Sequence, residues 1–288
     1  MVRAPRQCRL STMSVSIVAA FLGALVGAIL GLTGAGGAII AVPLLVFSLQ
    51  LRVTEAAPIA LFAVSISAAI GALLALKQGR VRYRAAGFIA FTGALVSPVG
   101  IYVGQKLPDA ALRLLFAAVL GYVAIRMFRS SGNHPAEATI ASLPVTPCQL
   151  DDFSGRLIWD AFCARALTLS GIAAGFLSGL LGVGGGFIIV PALQKATHLH
   201  MRSIVPTSLA VIALVSAAGA FSAALTGSMN WPIALPFAGG AVAAMLVAST
   251  FTARFTRQGL QKSFAILAAA VATGMGIKAI AVVTGVCG

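Results

Sequence analysis

Uncharged apolar runs, separated by short basic segments, organise this chain. In order they cover roughly 14–32, 37–50, 56–77, 85–105 and 110–128, then 163–181, 185–195, 203–225, 231–253 and 263–283. An α-helix rises about 1.5 Å per residue and the hydrocarbon core of a bilayer is about 30 Å thick, so most of these runs suffice for one crossing. The second run of each set does not. Between Arg165 and Lys195 lie 29 uncharged residues, enough for one crossing and a half-helix but not for two crossings. Each set therefore predicts five helical segments, the first two forming a re-entrant or broken pair whose tip lies inside the membrane.

Those tips are rich in glycine. Residues 31–45 read GLTGAGGAIIAVPLL, and residues 179–193 read GLLGVGGGFIIVPAL. A shift of 148 positions without a gap superposes Gly34 on Gly182, Gly36 on Gly184, Gly37 on Gly185, Pro43 on Pro191, Pro58 on Pro206, Gly71 on Gly219 and Gly79 on Gly227. The pattern predicts a duplicated unit: a basic tail over 1–13, a first transmembrane repeat over 14–128, a polar linker over 129–162 and a second repeat over 163–288. The linker holds Glu137, Asp151, Asp152 and Asp160, four of the six acidic residues, together with Pro135, Pro144 and Pro147. It reads as an exposed cytoplasmic segment with a short amphipathic piece near Phe153 to Trp159.

Composition agrees with the membrane reading: 59% hydrophobic residues, 9% charged residues and a mean hydropathy of +1.02 lie outside the range of soluble domains. The formal charge of +14 would suggest nucleic acid in a soluble chain. Here the basic residues sit between apolar runs, the signature of membrane topology, so no nucleic-acid partner is expected. Lys77, Arg80, Arg82 and Arg84 fill the connection between the third and fourth segments of the first repeat, whereas the equivalent connection near Gly227 to Asn230 is uncharged. In the second repeat Lys195, Arg202, Arg254, Arg257 and Lys262 occupy the other side. The fold expected is an all-α polytopic membrane protein of two inverted repeats. Arg3, Arg6 and Arg9 favour an inside N-terminus where this arrangement puts it outside; the loop charges are more numerous and alternate consistently, and a parallel repeat stays open. The basic start also resembles a signal peptide, but Gly23, Gly27 and Gly31 have counterparts in Gly171, Gly175 and Gly179, so the first helix is read as retained.

A glycine turn that opens a helix presents backbone N–H groups at the positive end of the helix dipole and lets an anion approach closely. Thr33, Gly34, Gly36 and Gly37 of one repeat are therefore expected to face Gly182, Gly184, Gly185 and Gly186 of the other around a small anionic substrate. Pro43 and Pro191 are expected to kink or end the half-helices behind them. Close helix packing would also favour glycine. Thr207 and Ser208, after Pro206, form a second layer of candidates, with Ser65, Ser67 and Ser216 deeper. Lys278 sits in the last apolar run, close enough to its end to snorkel. No Asp or Glu lies within an expected span, Glu55 and Asp109 standing at helix entrances, so a carboxylate proton relay has no carrier. The spacing of Cys8, Cys148, Cys163 and Cys287 fits no zinc or redox motif, and these read as ordinary small apolar or loop residues. His198 and His200 lack further ligands; neither a metal nor a cofactor is expected. No nucleophile and base pair, HExxH motif or acidic dyad points to an enzyme.

The two glycine strings, the stretch Pro206-Thr207-Ser208-Leu209-Ala210 and the duplicated layout resemble the TauE/SafE sulfite exporter family, also called the toluene-sulfonate uptake permeases, over about 14–284 apart from the linker. The resemblance implies a multi-pass transporter of the bacterial inner membrane that carries sulfite, sulfonates or related small organic anions, with the glycine and hydroxyl positions contacting substrate. The first repeat departs from the family pattern at Pro58-Ile59-Ala60-Leu61, which has no hydroxyl, leaving Thr207 and Ser208 as the better candidates. The function expected is secondary transport, with export as the direction; a homodimer is compatible with the sequence. The alternative is a membrane scaffold or assembly partner without a substrate.

Overall fold

The computed structural model describes residues 6–34, 37–78, 83–132, 161–186, 188–190, 193, 201–251, 266 and 269–275. Eight helices are delimited among them: α1 (Arg6–Thr33), α2 (Gly37–Ser48), α3 (Val53–Lys77), α4 (Tyr83–Lys106), α5 (Asp109–Gly132), α6 (Ala161–Leu181), α7 (Met201–Leu225) and α8 (Trp231–Phe251). Further helical residues occur at 186, 188–190, 193, 266 and 269–275, and no strand is present among the described residues. Six helices, α1, α3, α4, α6, α7 and α8, are long and apolar enough to cross a membrane. Phe21, Phe91, Leu95, Tyr102, Phe162, Leu169, Phe221 and Leu235 are exposed on them, as expected where the solvent is hydrocarbon. The 12-residue α2 spans about 18 Å and cannot cross.

The two halves interlock. α1 lies against α8, α4 against α6, and α3 against α7. Rows of small residues permit the close approach: Gly23, Gly27 and Gly31 of α1 abut Phe237, Ala241 and Met245 of α8, while Gly171, Gly175 and Gly179 of α6 abut Thr92, Gly93 and Ser97 of α4. Because both numbers rise together, each of these pairs is parallel. The central pair is antiparallel: Gly219 meets Leu61, and Gly71 meets Leu209. Gly71 also touches Met245, and Gly219 also touches Ser97, so α8 turns back along α7 and α4 turns back along α3.

Two faces follow from these directions. On one, the Asp109 face, α3 begins and α4 ends; the Asp109 carboxylate accepts the Val53 N–H at 3.0 Å and pairs with Arg113 at 2.6 Å. Glu55 accepts the Arg52 N–H at 3.2 Å in the first turn of α3, where an acid complements the helix dipole. Both acids therefore cap helix starts outside the apolar core. At the other face, the Lys77 face, α3 ends and α7 begins. Cys163, buried at the start of α6, is disulfide-bonded, a correction to its reading as an ordinary apolar residue, which scattered spacing alone could not anticipate. His198, His200 and Lys278 lie outside the described residues.

Candidate functional site

Each half turns back on itself at its glycine string. In the first, α1 ends at Thr33, whose hydroxyl donates to Ile29 O at 2.7 Å, and Gly34 follows with φ +78°. The chain returns so that Gly37 opens α2 against the backbone of Val26 and Leu30. Gly34 and Gly37 are both buried, and Gly34 leans on the Val205 side chain. Gly36 lies outside the described residues. α2 continues through the buried Pro43 to Ser48, so this proline does not end the half-helix: packing on both neighbours holds it where the missing N–H alone would not.

In the second half, α6 ends at Leu181, and Gly182 donates its N–H to Ser178 O at 2.8 Å. Gly182 leans on Ala57, Gly184 on Ser216, Ile212 and Val64, and Gly185 on the Ala174 carbonyl. All three have positive φ, between 70° and 73°. Ile188 and Ile189 donate to Gly185 O at 3.1 and 3.2 Å, so the half-helix starts at Gly185, and Gly186, also buried, is its first helical residue. Pro191 lies outside the described residues.

The turns do not meet tip to tip. Val205 stands near the Lys77 face and Ala57 near the Asp109 face, so Gly34 and Gly182 are separated along the α3 and α7 pair by about 25 Å at the helical rise. The starts of the half-helices, in contrast, come back to a common depth. Gly37 is level with Ala241 through the α1 and α8 contacts, and Gly185 is level with Gly93 and Val215 through those of α6 and α4, close to the middle of α8, α4 and α7. Thr207 and Ser208 are buried two and three residues beyond Val205, beside the first turn. The Ser208 hydroxyl already donates to Val205 O at 2.8 Å, and that of Ser65 to Phe62 O at 2.8 Å.

Four other hydroxyls are buried without a hydrogen-bond partner: Ser67, Ser97, Ser178 and Ser216. Such a group costs about 1–3 kcal/mol if nothing satisfies it, so each asks for an explanation. Ser216 lies where this question bears on chemistry. Its Oγ is 2.7 Å from the position that a Cβ on Gly184 would take, one residue before the second half-helix opens. Amide donors at a helix start and an uncommitted hydroxyl beside them can hold an oxyanion by charge-assisted hydrogen bonds. Sequence reading singled out Ser216 only as one deep serine among several and missed Ser97 and Ser178. The signal available for Ser97 was a hydroxyl directly before Pro98 within an apolar run. No group of residues able to hold a metal ion occurs among the described residues.

A cleft opens on the Asp109 face between α3, α4 and α6. It is lined by Thr54, Ala57, Pro58, Leu61, Ile101, Gly104, Gln105, Gly179 and Leu180, and takes in about 310 Å³ with its open mouth.

Residues 19–275 match the family described as Sulfite exporter TauE/SafE. The chain belongs to this family. Among its relatives, a "Probable membrane transporter protein" of Xylella fastidiosa (strain 9a5c) is 30% identical over 266 residues, covering 91% of this chain and 95% of the relative. Another of that name from Xylella fastidiosa (strain Temecula1 / ATCC 700964) is 29% identical over 232 residues, covering 80% and 82%. "Probable membrane transporter protein YunE" of Bacillus subtilis (strain 168) is 27% identical over 233 residues, covering 78% and 84%. No solved structure matches. Family and relatives together make this TauE/SafE chain a multi-pass membrane transporter.

Proposed function

We propose that the protein is a secondary transporter that exports small oxyanions, such as sulfite, sulfonates or related organic anions, across the bacterial inner membrane. The observation that carries the reading is the Gly184 turn: a helix start at mid-depth beside the unpartnered Ser216 hydroxyl. Irregular backbone is tolerated at membrane depth only where protein buries it or a wet cavity adjoins it. The antiparallel course of α3 and α7, with the alternation of loop charge along the sequence, supports two units of opposite orientation that rock against each other around this site. Export of a monoanion needs no pump, since an inside-negative potential supplies about 2.3 kcal/mol per 100 mV for each charge moved outward.

Purified protein in liposomes, challenged with sulfite, thiosulfate, sulfoacetate, taurine and carboxylates, should carry one of these anions down its gradient. Gly184→Leu should abolish that flux while the protein still inserts, because the new side chain meets Ser216, Ile212 and Val64 at a positive φ. Unchanged flux in this variant would remove the site. A scaffold without a substrate predicts neither flux nor stabilisation by any anion, whereas a ligand at 100 times its Kd adds about 2.7 kcal/mol to the folded state.

A further inference from the structure

The inner wall of the cleft on the Asp109 face is formed by Leu61 and Ile101, which line it. Directly behind them Gly219 packs tightly: a Cβ there would lie 3.0 Å from Leu61 Cδ1 and from Ser97 Oγ and 3.7 Å from Ile101 Cδ1, so no room for a further atom is left. Ser97 is fully buried and its hydroxyl has no partner. Ser216 lies one turn before Gly219 on α7 and borders Gly184. A line therefore runs from the mouth at Thr54 and Gln105, past Leu61 and Ile101, to Ser97, and one helical turn further to Ser216.

The surroundings of the counterpart glycine differ. Gly71, the counterpart of Gly219 in the first repeat, has the Met245 side chain and Leu209 against it, and Met245 is the counterpart of Ser97 under the same shift. Val205 likewise takes the place of Ala57. A thioether therefore stands where the other repeat carries a hydroxyl.

We infer that the α3, α4 and α6 cleft is the substrate's access route on the Asp109 face, that Leu61 and Ile101 form its barrier, and that Ser97 is a further substrate-binding residue, donating its hydroxyl to an anion oxygen once the barrier parts. This rests on the transport reading above. Close packing of α4 on α6 accounts for a small residue at Ser97, as it would for an alanine; the unpartnered hydroxyl is a donor that packing does not need. Arg52, Lys106 and Arg113 face Glu55 and Asp109 around the mouth, a small excess of positive charge that favours anions there; Lys106 is held over the Tyr102 ring at 4.4 Å. Leu61 and Ile101 beyond them are apolar, so the charge gathers the ion without trapping it.

Sulfite flux in liposomes containing full-length protein tests the assignment. Ser97→Ala should raise the KM for sulfite at least fivefold and leave the melting temperature unchanged or higher, since no bond is lost. A purely structural serine would leave KM alone. Thr54→Cys and Gln105→Cys, each read against the labelling of the parent, should react with an anionic methanethiosulfonate, lose at least fivefold of their flux of sulfoacetate on modification, and be protected by sulfoacetate, which unlike sulfite does not consume the reagent. Flux that persists in the parent and stops in Gly184→Leu, but ignores Ser97→Ala and both modifications, would overturn the route while sparing the site. A parent that carries no anion would overturn both.

Discussion

The two glycine turns occupy matching places in the two repeats, yet they lean on different neighbours. Gly34 rests on Val205, and Gly71 beyond it packs on Met245 and Leu209; Gly182 rests on Ala57, and Gly219 beyond it packs on Leu61 and the bare hydroxyl of Ser97. The surroundings of the first are aliphatic and thioether groups, whereas the second adjoins a cleft. The lesson is that a duplicated backbone need not carry duplicated side chains: under the transport proposal, the few that differ mark the second turn as the one that binds.

The comparison breaks most severely at Gly182. A Cβ there would lie 2.5 Å from the Ala57 Cα, and left-handed backbone adds about 1–2 kcal/mol for any other residue. Gly182→Val should cost at least a hundredfold in flux and lower the yield of folded protein, read by liposome flux and size-exclusion chromatography. Gly34→Ala meets only the Val205 side chain, so it should be milder and should be partly restored by Val205→Ala; failure of that rescue would show that the first turn is as constrained as the second. Copying Val205 onto its counterpart in the first repeat is the next test. Ala57→Val should narrow the cleft and reduce flux about tenfold with unchanged folding, measured by initial rates and melting temperature.

Smaller effects sharpen the contrast between hydroxyls. Ser216→Ala removes a donor that has no partner, so the KM should rise about fivefold, equivalent to about 1 kcal/mol, with no loss of thermal stability. Ser208→Ala removes one already committed to Val205 O at 2.8 Å, and its KM should move less than twofold. Equal effects of the two would erase the distinction between free and satisfied hydroxyls.

Much of the framework was legible in the chain. The apolar run 56–77 became α3 (Val53–Lys77), and the short second run became the non-spanning α2. Glu55 and Asp109, read as standing at helix entrances, do cap helices. The glycine strings sit at the turns because amide groups freed inside a membrane need protein around them and because helix reversal there calls for a positive φ. Less could be read of the site. Thr207 and Ser208, singled out after Pro206, lie beside Gly34, and the Ser208 hydroxyl is bonded to Val205 O. Ser97 carried one signal, its place directly before Pro98; that its hydroxyl is buried without a partner against Gly219 of another helix shows only in the fold.

Hydropathy, length and glycine placement are properties of consecutive residues, so the chain read alone anticipates the six membrane-crossing helices among the described residues, the two reversals and the family, while the run 110–128, which became α5, is not among those six. The depth of each turn is another matter, as is which hydroxyls are spent on their own helix and which are free. Those depend on contacts between residues far apart in the chain, where α3 crosses α7 and α4 lies along α6, and the folded arrangement alone fixes them. A difference of two methyl groups between Ala57 and Val205 acquires its meaning only there.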